Sequence, residues 1–137
     1  MPFRAAIAAG VASIMTAHVA YPALDASRAP ATLSTKILHF LLREKLRFDG
    51  LIVTDALIME GVLGPEGEAG AAVRAIDAGC DLLLYPQDIG AVITALETAV
   101  RDGPLDEDRI LQSRRRRLKW AQWAAPPPPD RRAAGAA

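Results

Sequence analysis

Cysteine is nearly missing from this 137-residue chain: Cys80 stands alone, so no intrachain disulfide can form, which fits a reducing compartment and sets the expectation of a cytoplasmic protein. Net charge is missing too. Sixteen basic residues balance sixteen acidic ones, so no overall field selects nucleic acid, a membrane surface or an acidic partner. No apolar run approaches the roughly 20 residues that a membrane helix needs, and "MPFRAAIAAGVASIM" is broken by Pro2, Arg4 and Gly10. That opening stretch also lacks the charge order and cleavage site of a signal peptide, and is read as part of the fold. No metal-ligand cluster is visible, so neither metal nor cofactor is expected.

What the chain does have is hydrophobic residues, 51% of the total, enough to bury a core at the size of a single domain. Three short apolar runs recur: Ala12 to His18, Leu51 to Asp55 and Cys80 to Pro86. None alternates apolar with polar residues, so each predicts a strand buried on both faces. Gly10, the Asp49-Gly50 pair and Gly79 precede them, with Gly10 and Gly79 placed as helix C-caps.

Helical patterns lie between the runs. Leu33, Ile37, Leu38, Leu41 and Leu42 fall at spacings of three and four, with Ser34 as N-cap and the charges opposite. "PEGEAGAAVRAIDAG" and "DIGAVITALETAV" each begin with acids and predict surface helices, and "DEDRILQSRRRRLKWAQWA" predicts a terminal helix. Strands alternating with single helices give an α/β chain with a parallel sheet. Pattern alone leaves an open doubly wound sheet and an arc of a (β/α)8 barrel equally open, and three strands cannot close a barrel. The stretch "APPPPDRRAAGAA", from Ala125, cannot pack and is expected to be disordered, so residues 1–124 form the folded unit and 125–137 a tail.

In parallel α/β architectures the carboxyl ends of the strands build the active site. His18, Asp55 and Gln87 occupy those ends. Each residue also has a plainer use: an Asp at a strand end caps the next helix, and a His there is hydrogen-bonded in place.

The strings "PFRAAIAAGVASIMTAHVAYPALD", "ATLSTKILHFLLREKLRFDGLIVTDALIMEGV" and "AIDAGCDLLLYP", in that order, resemble the catalytic barrel of glycoside hydrolase family 3, in particular its β-N-acetylglucosaminidase branch. The likeness runs from Pro2 to about Ile93 and is most specific from Phe48-Asp49-Gly50 to Gly61. It implies about three C-terminal βα units of a TIM-type barrel plus a terminal helix. It also implies a retaining glycosidase acting on terminal N-acetylglucosamine, with Asp55 as nucleophile and His18 and Met59 lining the sugar pocket, and Glu60 on the same loop. The carbohydrate is then the partner, as an N-acetylglucosamine-containing glycan or cell-wall fragment. By the same resemblance the first five strands, and the His-Asp acid/base dyad on a loop beginning Lys-His, lie upstream of everything present. The chain alone is expected to be truncated and weakly active or inactive, and to self-associate through open sheet edges.

Two other readings compete. "RRRRLKW" at Arg114 to Trp120 is a basic helix that could bind nucleic acid, as part of a non-catalytic remnant or interaction module, although zero net charge and arginines spread around the helix speak against it. A nucleotide-binding domain would need a Gly-rich loop after the first strand, and "HVAYPALDASRAP" has none.

Overall fold

The computed structural model describes residues 2–125. The expected tail therefore lies, beyond Ala125, outside the described residues. Helix α1 spans Pro2–Ala8, and strands β1 (Ser13–Met15), β2 (Leu51–Ala56) and β3 (Leu82–Leu84) form one parallel sheet in the order β1-β2-β3. A 3-10 turn, Ala31–Leu33, leads into a wide-turned helix, Lys36–Lys45, between β1 and β2. Helix α2 (Gly67–Ala78) joins β2 to β3, and α3 (Ile89–Asp102) and α4 (Glu107–Ala124) follow. The expected α/β class and the three parallel strands are present.

Two differences have local causes. β1 and β3 are shorter than the apolar runs that predict them. β1 stops at Met15 because Ala17 and Val19 turn away, their carbonyls accepting from Thr32 N–H (3.4 Å) and Ala31 N–H (2.9 Å). β3 stops at Leu84 because Tyr85 adopts φ +50°, a left-handed conformation that no strand continues through. The Lys36–Lys45 helix is wider than an α-helix: Leu46 N–H reaches back five residues to Leu41 O, at 2.9 Å. Its apolar face still follows the predicted spacing, with Leu38 and Leu42 buried. The Ser34 hydroxyl accepts the Ile37 N–H at 3.2 Å, as an N-cap does.

The core lies on one side of the sheet. Ile52 is buried among Leu38, Leu42, Ala75 and Ala78, with Ile14 and Leu83 packed against the same cluster. A second cluster, around Leu57, Val62, Ala71, Ala72 and Val92, joins α2 to α3. Gly50 enters β2 where nothing larger fits, since a Cβ there would run into the Phe48 ring and stand 2.6 Å from Ala12 O.

Strand alternation then assigns the other face. Ile14, Ile52, Thr54 and Leu83 point toward the helices, so Ser13, Met15, Leu51, Val53, Asp55, Leu82 and Leu84 belong to the opposite face. None of those seven is buried.

Beneath the strands, at their amino ends, Asp81 ties the elements together. Its fully enclosed carboxylate accepts from Ile52 N–H (3.0 Å), Ser113 Oγ (3.0 Å), Arg116 (3.0 Å) and Arg43, with Arg109 at 3.5 Å. Arg43 also donates to Phe48 O at 2.9 Å and Gly50 O at 2.6 Å, and Arg109 to Cys80 O at 2.6 Å. Burial lowers the pKa of both guanidinium groups, and the Asp81 charge works against that shift.

Candidate active site

Asp55 occupies the next-to-last position of the central strand, on the uncovered face and near its carboxyl end. β-branched Ile52, Val53 and Thr54 favour extended backbone there, and Thr54 Oγ1 accepts the Leu84 N–H at 2.8 Å, locking β2 to β3 beside the aspartate. Asp55 Oδ1 accepts the N–H of Ala56 at 2.8 Å, which holds the carboxylate to its own strand. Among the described residues no other hydrogen bond to this carboxylate is found, and the side chain is part-exposed.

His18 reaches the same strand end from β1. Its Nε2 lies 3.1 Å from Ala56 O and its Nδ1 2.8 Å from Thr32 Oγ1. A carbonyl only accepts, so Nε2 carries a proton, and in the neutral ring Nδ1 accepts from the Thr32 hydroxyl. Thr32 Oγ1 in turn lies 2.7 Å from Thr16 Oγ1, which completes a chain Thr16, Thr32, His18, Ala56. The loop before Thr32 is fixed by Asp25, whose carboxylate accepts from Ser34 Oγ (2.7 Å), Ser27 N–H (3.0 Å) and Lys36 Nζ (3.3 Å). These bonds, the Ser34 hydroxyl foremost, hold Asp25 far below the usual carboxylate range.

Met59 follows on the turn after β2, 46% exposed, and its N–H donates to the same Ala56 carbonyl at 3.1 Å. Gly61 packs against His18, where a Cβ would come within 3.0 Å of its carbonyl oxygen. Asp55 and His18, singled out at strand ends, and Met59, implied by the family resemblance, are thus joined through Ala56. Gln87 is used differently: the Glu68 carboxylate accepts its N–H at 2.8 Å and that of Asp88 at 3.1 Å, fastening the segment after β3 to α2. Sequence reasoning missed Thr16, Thr32 and Tyr85. The threonines carry no spacing signal, and Tyr85 shows itself only through its positive φ and 68% exposure at the β3 end.

Two clefts elsewhere do not include the site. One of about 310 Å³ is lined by His39, Arg43, Asp77, Arg109 and Arg116, another of about 720 Å³ lies between α2 and α3, and neither touches Asp55, His18 or Met59. Among the described residues no three His, Cys, Asp or Glu side chains are placed to hold a metal ion, and no helix is long and apolar enough to cross a membrane. The second histidine, His39, sits 3.1 Å from Glu44 on the exposed side of its helix. Of the arginine run, Arg116 turns inward to Asp81, and Arg114, Arg115 and Arg117 are exposed.

A parallel α/β sheet with a carboxylate at the end of its central strand defines a protein whose chemistry would sit on strand ends. The model of the glycosyl hydrolase family 3 N-terminal domain matches residues 1–119, and the chain belongs to that family. A β-hexosaminidase of Thiobacillus denitrificans is 39% identical over 100 residues, covering 71% of this chain and 27% of that protein. A β-N-acetylglucosaminidase/β-glucosidase of Cellulomonas fimi is 32% identical over 117 residues, 79% of this chain and 21% of that one. The solved family 3 β-N-acetylglucosaminidase of a Paenibacillus superposes with a TM-score of 0.83 at 43% identity, covering 88% of this chain and 24% of its own. The chain therefore spans about a quarter of the length of these relatives.

Proposed function

We propose that this chain supplies the nucleophile of a retaining glycosidase that removes terminal N-acetylglucosamine residues. The observation that carries the reading is the placement of Asp55 at the carboxyl end of the central strand, with Oδ1 held by Ala56 N–H and the side chain part-exposed on the uncovered face. In the first step an Asp55 oxygen bonds to the anomeric carbon while the bond to the leaving oxygen breaks. In the second, water attacks the same carbon and returns the carboxylate, so two inversions restore the starting configuration.

His18 acts here by position. Both its nitrogens are committed, to Thr32 and to the Ala56 carbonyl, so it holds the strand end in register and offers its ring as part of the pocket wall. Met59 supplies an apolar wall on the adjoining turn. By the family resemblance the proton for the leaving oxygen comes from a His-Asp dyad outside this chain; of the two histidines present, His18 is engaged with Thr32 and Ala56 and His39 lies with Glu44. Without such an acid a poor leaving group forfeits a factor on the order of 10²–10⁴. The chain is read as the C-terminal arc of a (β/α)8 barrel, weakly active or inactive by itself.

An aglycone that leaves without a proton tests Asp55 directly. The full chain is incubated with 2,4-dinitrophenyl N-acetyl-β-glucosaminide, quenched in acid and digested. The peptide containing Asp55 should gain the mass of one N-acetylglucosamine, and Asp55→Asn should not. A sugar adduct on another residue, or one that forms equally on Asp55→Asn, refutes the assignment.

A further inference from the structure

We propose that the ring of Tyr85 is a stacking platform for the sugar that Asp55 would engage, a role that rests on reading the strand ends as a glycoside site. Leu84 pairs with Ala56, and its carbonyl accepts the Leu57 N–H at 2.9 Å, so Tyr85 leaves the sheet one residue beyond this pairing, beside the strand end that carries Asp55. Its φ of +50° lies in the left-handed region, which a bulky side chain rarely adopts. Pro86 sharpens the conflict, because the residue before a proline is pushed toward extended backbone. At Gly10, Gly67, Gly79 and Gly103 the chain gives a positive φ to glycine, and among the described residues Tyr85 is the one aromatic that has it.

The strain persists because both flanks are fastened. Leu84 N–H is held by Thr54 Oγ1 at 2.8 Å, and the N–H groups of Gln87 and Asp88 by the Glu68 carboxylate at 2.8 and 3.1 Å. Packing gives no reason for an aromatic ring here: Tyr85 belongs to none of the three hydrophobic clusters and is 68% exposed. Glycine would make the same turn without the conflict. What the tyrosine adds is a flat, rigid surface at the mouth of the strands, of the kind that lines ligand sites. An N-acetyl-β-glucosaminide suits it, since the sugar's substituents are equatorial and its ring C–H groups axial, which leaves an apolar face for an aromatic ring to cover. Met59, 46% exposed on the turn after β2, offers a second apolar surface but no planar one.

The test is an NMR titration of the full 137-residue chain, its tyrosine rings isotope-labelled, with methyl N-acetyl-β-glucosaminide, whose poor leaving group keeps it intact. The chain has two tyrosines, and Tyr21, 45% exposed, reports what any exposed tyrosine does. The Tyr85 signals should shift saturably, with the sugar C–H protons moved upfield by the ring, and the Tyr21 signals should not. Tyr85→Gly should weaken binding at least tenfold, read from the sugar's own signals, while its urea midpoint is no lower than the parent's. Tyr85→Phe, which keeps the ring, should retain the binding. Tyr85 signals that stay put up to the solubility limit of the sugar, equal binding by Tyr85→Gly, or a lowered midpoint, as a ring wanted only for the fold would give, would each overturn the proposal. Labelling with 2,4-dinitrophenyl N-acetyl-β-glucosaminide separates the two roles. An Asp55 adduct that Tyr85→Gly forms as fast as the parent upholds the nucleophile and overturns the platform, and an adduct on another residue with the Tyr85 response intact does the reverse.

Discussion

Replacing Asp81 by Asn should do more damage than any surface change of similar size. The carboxylate is fully enclosed and serves Arg43, Arg109, Arg116, the Ser113 hydroxyl and the Ile52 N–H at once. The amide would keep the volume but remove the one countercharge that, among the described residues, these three guanidinium groups share, and would turn an NH₂ toward groups that donate. Removing one partner of a buried ion pair costs about 3–5 kcal/mol. Against a total stability of about 5–15 kcal/mol for a domain, that is a large fraction. With a urea slope of about 1–3 kcal/mol per molar, the unfolding midpoint followed by circular dichroism should fall by at least about 1 M. Asp49→Ala supplies the comparison, because the Asp49–Lys119 pair is exposed on both sides and should contribute no more than about 1 kcal/mol. The reasoning fails if the two substitutions shift the midpoint equally. It fails as well if Asp81→Asn leaves α4 docked and the midpoint unmoved.

Other outcomes follow from the same geometry. Burial pushes the Cys80 thiol up to about 12, so the native chain should resist iodoacetamide at pH 8 and react only in denaturant; labelling at the rate of a free thiol in the folded chain would contradict its enclosure. Asp25 ionises at lower pH folded than unfolded, where its ordinary value is 3.8, so between the two the unfolded chain holds more protons and stability rises with pH. Its contribution is complete above about pH 4 and lost on acidification below that. Urea midpoints from pH 5 to 2.5 should therefore fall less steeply in Asp25→Asn than in the parent, and parallel curves would show that the Ser34 and Ser27 bonds do not hold the charge. Thr32→Val removes the hydroxyl between Thr16 and His18. It should cost about 1–3 kcal/mol through the stranded partners, and an unchanged His18 imidazole signal in the NMR spectrum would refute the relay.

The elements legible in the sequence are those whose signal is local. The Ile37 to Leu42 spacing, the glycine at position 79 and the run closing on Asp55 each mark a single element, and each is found there. Strand length is less legible. An apolar run looks the same whether its backbone pairs in the sheet or with a neighbouring loop, and Ala17 and Val19 pair with the loop. The Asp81 clasp was invisible for a different reason. It gathers positions 43, 52, 81, 109, 113 and 116, each unremarkable among its neighbours, and only the tertiary fold makes them converge. Thr32 is hidden in the same way, fourteen residues from the histidine it orients.

The two ends of β2 divide the labour of the strand. Near its amino end, Ile52 gives its N–H to the Asp81 carboxylate and its carbonyl to the Asp81 N–H, at 3.0 and 2.7 Å. Near its carboxyl end, Ala56 O gathers His18 and Met59. Asp55 stands between these anchors, three residues beyond the first and one before the second, so its backbone is held at both ends while its side chain is part-exposed on the uncovered face. A carboxylate fixed in this way loses little further freedom when a reacting carbon is brought to it, which is the advantage of building a nucleophile on a strand rather than on a loop. The same placement explains why the uncovered face matters. The strand fixes the direction of the aspartate, but a carboxylate in the role proposed for it also needs surroundings that hold the sugar and exclude water, and around Met15, Val53 and Leu84 the described residues leave this face uncovered.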